Sequence, residues 1–344
     1  EEIYESEVSY SKKYRDILGN MFGNREALIS LLDDYQIALF DEISNAVNNP
    51  EEDKKIFIIE GTPGTGKTFV AIALLSYLYQ NEKNNKALYV VKNRDPRMVL
   101  ENMLKKSGVP TQCINVGIND LKTKFDCLIC DESHRMLEMV WEGDDRKFIQ
   151  RFIELSKVSV FFYDEKQNVN ISDYVTKEKI KEASQGMTII EKKLMYQHRC
   201  QAADRYIYIM DNLLDNLDIE LQSDKKIIGK EGYEVKLVES PDALFQVIKE
   251  KNENRGKNNT SRVLAGKGKG WTWRKDNEED EKAKTIGPFR GQLDKYRWNK
   301  RKYDMIETSQ GFLAETFSTH EKSINLVGCI DTSQGLDFEY VGVI

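Results

Sequence analysis

The chain lacks the long apolar runs that a membrane span needs. Its oiliest stretch, Phe69 to Tyr79, falls well short of the roughly 20 residues required, and a polar loop separates it from the preceding run Ile56–Ile59. No signal peptide is visible, and the chain opens on Glu1 rather than Met, so a preceding piece is expected to be missing. Cysteine is scarce. Cys113, Cys127, Cys130, Cys200 and Cys329 are odd in number and scattered, which points to a reducing, cytoplasmic compartment rather than a disulfide framework. Cys127 and Cys130 have the spacing of half a zinc knuckle. No second pair at matching spacing exists, so they are read as buried strand residues. No internal repeat is apparent. Disorder is excluded as the main state because aromatic and β-branched residues recur throughout.

What is present is enough for one large or two to three ordinary domains: 344 residues, 40% apolar and 31% charged. The net charge of −6 argues against a general polyanion binder. It hides an asymmetry, however. Residues 251–303 carry 16 Lys and Arg against 7 Asp and Glu, a local +9 that leaves −15 elsewhere. Such a block is either a polyanion surface or a solvated lysine-rich loop.

Short apolar runs alternate with amphipathic stretches. Strands are expected at Ile56–Glu60, Ala87–Val91, Phe125–Cys130, Val158–Tyr163 and Met187–Ile190, with helices at Lys67–Asn81 and Pro96–Lys106. That alternation predicts an α/β fold whose parallel sheet is covered by helices on both faces. Gln201–Leu217 reads as a helix linking two halves. A second α/β set begins at Tyr233–Val238 and continues through the helix Pro241–Lys251 and strands at Arg262–Ala265, Ile324–Ile330 and Tyr340–Ile344. Between Gly266 and His320 no period is clear, and the stretch reads as an insertion or loop.

The strongest motif lies between the first strand and the first helix. Gly61-Thr62-Pro63-Gly64-Thr65-Gly66-Lys67-Thr68 matches G-x-x-x-x-G-K-[ST] in its required strand–helix setting. The glycines let the backbone curl around an anion, its amides point inward, and the new helix adds the positive end of its dipole. Lys67 would reach the β- and γ-phosphates of ATP, and the Thr68 hydroxyl would ligate Mg²⁺. About seventy residues on, Phe125–Cys130 runs into Asp131-Glu132-Ser133-His134. Asp131 is the expected acid of the Mg²⁺ shell, and Glu132 faces the γ-phosphate to polarise the attacking water. His134 either couples this site to the next strand or packs locally.

These residues resemble a helicase. Asp131-Glu132-Ser133-His134 is similar to motif II, and the strand Val160–Tyr163 followed by Asp164-Glu165-Lys166-Gln167 is similar to motif III of superfamily 1. Leu194-Met195-Tyr196-Gln197-His198-Arg199 resembles motif IV, and Asp331-Thr332-Ser333-Gln334-Gly335-Leu336-Asp337-Phe338 resembles motif V. Asp34-Tyr35-Gln36 stands where a glutamine reads the adenine edge. More narrowly, Arg262–Gly266 and Val327–Ile330 resemble the Schlafen-type (group 3-like) DNA/RNA helicase domain.

The resemblance implies two RecA-like lobes, the second expected to be truncated. The expected bounds are an extension at 1–30, a P-loop lobe at 31–195, a helical inter-lobe region at 196–230, and a second lobe at 231–344 with a basic, aromatic insertion at 266–320. It also implies roles residue by residue. Gln36 would bind adenine, Asp164 and Gln167 would sense the γ-phosphate, and Arg199 would stabilise charge on the transferred phosphoryl group. Gln334, Gly335 and Asp337 would face the nucleotide from the second lobe. Lys92, Asn93 and Arg94 stand at motif Ia and would contact nucleic-acid phosphates. Trp298 is poised between core packing and stacking in a strand-binding groove, whereas Trp271 and Trp273 read as core.

The leading expectation is an ATP- and Mg²⁺-dependent helicase or translocase acting on single-stranded DNA or RNA, with no membrane. An alternative is an ATP-gated binding or assembly module of a nuclease or defence complex, without unwinding. Cys329 and Asp331, which depart from the usual hydroxyl residue and histidine of motif V, favour the alternative. So does a motif VI arginine that would fall beyond Ile344. An AAA+-type ring ATPase is disfavoured by the motif III and motif V residues.

Overall fold

The computed structural model describes residues 25–50, 53–80, 86–106, 114–115, 123–138, 147–167, 174–196, 226–228, 234–253, 261–266, 297–298, 305–308, 311–314, 321–333 and 338–344. In chain order the first set of elements is α1 (Arg25–Ile29), α2 (Asp34–Asn48), β1 (Lys55–Gly61), α3 (Lys67–Gln80), β2 (Ala87–Val90), α4 (Arg94–Lys106), β3 (Ile114–Asn115) and β4 (Phe125–Cys130). It closes with α5 (Phe148–Leu155), β5 (Ser156–Tyr163), α6 (Lys177–Ala183) and β6 (Thr188–Leu194).

The six strands form one parallel sheet in the order β3-β2-β4-β5-β1-β6. Strand alternation divides its side chains between two cores. Phe57, Ile59, Tyr89, Cys127, Ile129, Val160 and Phe162 face α2, α3 and α4. Ile56, Ile58, Leu88, Val90, Leu128, Cys130 and Phe161 face α5 and α6. Both faces are therefore covered, as continuous apolar strands require. On the second face Phe152 packs against Phe161 with ring centroids 4.7 Å apart.

Helix α3 is buried almost all round: Phe69, Val70, Ala71, Ala73, Leu74, Leu75 and Leu78 are each at most 1% exposed. A helix apolar on every side needs cover on every side. The sheet provides one side and α2 the other, where Phe40 meets Tyr77 edge-on at 5.4 Å and Asn48 Nδ2 donates to Tyr77 Oη. α2 itself starts on a capping box. The Asp33 carboxylate accepts from Gln36 N–H at 2.8 Å, and Gln36 Oε1 accepts from Asp33 N–H at 3.1 Å.

Cys127 and Cys130 point into opposite cores, so they cannot share one metal ion. Burial pushes both thiols well above their ordinary range. Labelling with a thiol reagent under native conditions should leave both unmodified, and mapping by mass spectrometry checks this. Rapid native modification of either would contradict the burial.

The second set comprises β7 (Lys226–Ile228), β8 (Glu234–Lys236), α7 (Pro241–Glu253), β9 (Ser261–Ala265), β10 (Arg297–Trp298), β11 (Met305–Thr308), β12 (Gly311–Ala314), β13 (Leu326–Cys329), α8 (Ile330–Ser333) and β14 (Tyr340–Val343). A parallel four-stranded sheet runs β10-β13-β9-β14, with α7 covering one face through Phe245 and Ile248 against Val263, Ala265 and Val327. An added Cβ on Gly342 would come within 3.0 Å of Leu244, so the helix lies close on the strand.

In this second set five strands differ from expectation. The strand expected at Tyr233–Val238 is β8, and it pairs antiparallel with β7 rather than joining the parallel sheet. β7 falls within the 196–230 stretch expected to be helical. Inside 266–320, read as a loop, β10 extends the parallel sheet and β11 pairs antiparallel with β12. These strands are two to four residues long, too short to set up a readable period. The helix expected at Gln201–Leu217, and Trp271 and Trp273, lie outside the described residues. Among the described residues no helix is long and apolar enough to cross a membrane.

Candidate nucleotide site

All six strands of the first sheet are parallel, so the segments that follow β1, β2, β4 and β5 emerge along one edge. After β1 the loop 61–68 curls back on itself. Gly64 and Gly66 take φ of 85° and 82°, a region that favours glycine. Gly61 has no room either, because an added Cβ would lie 2.4 Å from Thr65 Oγ1. The Thr65 hydroxyl donates to Thr62 O at 2.8 Å and closes the turn. Helix α3 begins at Lys67, with Val70 N–H donating to Gly66 O at 2.9 Å. Its free amides and dipole thus face the loop.

Lys67 is 6% exposed. Its ammonium donates to Gly61 O at 2.6 Å and Thr62 O at 3.1 Å, and lies 3.6 Å from Asp164 Oδ2. Gln36 braces the same loop from α2: its Nε2 donates to Thr65 O at 3.0 Å while its Oε1 serves the capping box. The brace is tight, since a Cβ on Gly66 would lie 2.3 Å from Gln36 Nε2.

β4 delivers the acids. Asp131 N–H donates to Val90 O at 3.0 Å, which continues the sheet one residue further. The buried Asp131 carboxylate accepts from Tyr89 Oη at 2.6 Å on Oδ2 and from Glu132 N–H at 3.0 Å on Oδ1. Burial and the neighbouring Glu132 charge raise its pKa, while hydrogen bonds from Tyr89 and Thr68 and the Lys67 charge oppose that rise. Burial and the Asp131 carboxylate in turn push the Tyr89 phenol well above its usual value.

Glu132 is the one described non-glycine residue with positive φ, at 49°. Backbone in this region is strained and persists where the surroundings over-determine it. Here Glu132 opens a 3₁₀ turn, Ser133–Arg135, that is pinned to the next strand by Ser133 Oγ donating to Phe162 O at 2.8 Å. His134, fully buried, sets Nε2 3.1 Å from Glu132 Oε2, and its Nδ1 accepts from Asp164 N–H at 3.4 Å. It thus lies between the acid turn and the end of β5.

The sheet order explains why these parts meet. β5 lies between β1 and β4, so Asp164 at its end reaches the P-loop on one side and the 131–134 turn on the other. Asp164 Oδ2 accepts from Gln167 Nε2 at 2.8 Å and Oδ1 from Lys166 N–H at 3.1 Å.

A sequence model of the Schlafen group 3, DNA/RNA helicase domain matches residues 54–344. The chain belongs to that family. No curated protein matches this Schlafen group 3 helicase domain. Among solved structures, a DNA replication initiation factor and the AMPPCP-bound DnaA from Aquifex aeolicus each share 15% identity with it over 56% of this chain and 55% of theirs. They superpose with TM-scores of 0.28 and 0.26, and neither bears on the function below.

Of the other expected residues, Lys92, Asn93, Arg94 and Trp298 are described. Lys92 follows β2 on the same sheet edge, but its Nζ donates to Arg135 O at 2.7 Å. Asn93 precedes α4, and its carbonyl accepts from Arg97 N–H at 3.3 Å. Arg94 opens α4 and Trp298 ends β10, pairing with Val327. Arg199, Gln334, Gly335 and Asp337 lie outside the described residues. Sequence reading missed Tyr89. The available signal was a phenol near the end of the strand beside the one that delivers Asp131.

Proposed function

We propose that this domain is an ATPase of superfamily 1 helicase type that couples hydrolysis to movement along, or unwinding of, DNA or RNA. One observation carries the reading: Lys67, Thr68, Asp131, Glu132 and Asp164, from three separate segments, converge on the mouth of one P-loop. The donor set fits magnesium. Thr68 and Asp131 are hard oxygen donors already in hydrogen-bond contact, and Mg²⁺ typically takes only one or two protein ligands beside phosphates and water. Bound there, the ion would neutralise phosphate charge.

The chain's own residues supply the rest. Loop amides and the α3 terminus bind phosphate, and Lys67 leaves the Gly61 and Thr62 carbonyls to reach the β- and γ-oxygens. Glu132 orients a water and takes its proton, held in place by His134. Asp164, linked to both Lys67 and His134, and Gln167, bonded to Asp164, respond to the γ-phosphate and relay its loss along β5. Gln36 holds the P-loop through Thr65 and is the residue we assign to adenine. Arg199, Gln334, Gly335 and Asp337 complete the site on closure. Lys92, Asn93, Arg94 and Trp298 contribute to a track for a single strand, and a nuclease or defence-complex subunit is the natural protein partner.

Steady-state ATP hydrolysis, measured with single-stranded DNA, single-stranded RNA and duplex, tests the reading. Stimulation of severalfold or more by a single strand is expected. Hydrolysis indifferent to every polymer would overturn the coupling.

A further inference from the structure

Asp131 carries an unusual load for a metal-binding acid: one of its oxygens is already occupied by a phenol. Tyr89 and Asp131 lie on neighbouring parallel strands. Tyr89 is paired with Ile129, two residues before Asp131 and therefore on the same face of the sheet. The ring lies among the core residues of that face and is 2% exposed, so only its hydroxyl reaches the sheet edge. There it donates to Oδ2 at 2.6 Å, while Glu132 N–H holds Oδ1 at 3.0 Å. These bonds pin the carboxylate from two directions, and the Thr68 hydroxyl joins the same group.

We propose that Tyr89 is a positioning residue for the magnesium site: its hydroxyl fixes the Asp131 carboxylate in the orientation that turns it toward Thr68. The inference rests on the ATPase reading above. Three features support it. A carboxylate has about four lone-pair sites, so accepting one bond on each oxygen still leaves room for a cation. A buried carboxylate without such a donor would be free to rotate, and a misoriented ligand weakens a hard-cation site. Partners that orient a metal ligand typically contribute 10–100-fold to metal affinity. Tyr89 itself touches neither phosphate nor metal in this arrangement, so its effect passes through Asp131.

Tyr89→Phe removes the donor and keeps the ring in its core. Binding of a fluorescent, non-hydrolysable ATP analogue to the whole chain is measured in EDTA and then against rising Mg²⁺. In the wild type, Mg²⁺ should tighten binding. In Tyr89→Phe, affinity in EDTA should be unchanged, whereas the Mg²⁺ concentration for half-maximal tightening should rise about tenfold. Tyr89→Met, which fills similar space without a donor, should shift the Mg²⁺ curve in the same direction. Unchanged binding in EDTA serves as the folding check for both variants. A Mg²⁺ curve that overlays the wild type would overturn the proposal. So would equal loss of binding with and without the ion, because a purely structural role predicts that pattern. Wild-type protein that ignores the nucleotide altogether would instead overturn the ATPase reading beneath it.

Discussion

Glu132→Gln is expected to stop hydrolysis while leaving ATP bound. The substitution is nearly isosteric and keeps a polar group 3.1 Å from His134, so the turn after β4 has little reason to rearrange. What disappears is the proton acceptor. General-base catalysis contributes about 10²–10⁴-fold, and the loss should fall in that range or beyond. Steady-state turnover and binding of a fluorescent ATP analogue, measured on the same preparation, separate the two effects. Undiminished turnover in the variant would remove Glu132 from the mechanism.

Lys67→Ala should be more severe, because it removes binding and chemistry together. The ammonium is nearly buried, donates to two loop carbonyls and stands 3.6 Å from Asp164. Its loss strands the Gly61 and Thr62 carbonyls and leaves the Asp164 carboxylate without its nearby cation. A buried group deprived of its partner costs about 1–3 kcal/mol, more when charged. Hydrolysis should fall to background, nucleotide binding should weaken, and the thermal midpoint should drop by several degrees. A variant that turned over ATP normally would refute the assignment of the P-loop. One that lost turnover with no change in stability would confine Lys67 to the nucleotide and away from the loop.

Much of the first lobe was legible because its signals are local. The glycine pattern of 61–68 between an apolar strand and an apolar helix fixes β1, the turn and α3 together, and the run into Asp131 and Glu132 marks the end of β4. Strand order was harder to read. Nothing local says that β5, later in sequence, inserts between β1 and β4, yet that insertion brings Asp164 to both Lys67 and His134. Tyr89 was missed for the same reason, since its partner lies 42 residues away on another strand. Gln36 was assigned to the adenine edge by its resemblance to a helicase glutamine, whereas the packed structure shows both ends of its side chain engaged within the protein, by Asp33 and Thr65. In the second lobe the parallel strands β9, β13 and β14 were readable. Strands of two to four residues were not, because they give pairing partners rather than pattern.

The all-round burial of α3 has a mechanical consequence. A helix exposed only near Tyr79 in its last turn cannot rotate or slide without breaking contact with the sheet or with α2, so the phosphate cradle at its head is an anchored stator. Under the proposed cycle, displacement would fall to parts outside the buried helix, such as the short Glu165–Gln167 turn, none of whose residues is buried. That turn would be the moving side of the proposed cycle, and tethering it should stall turnover without emptying the cradle.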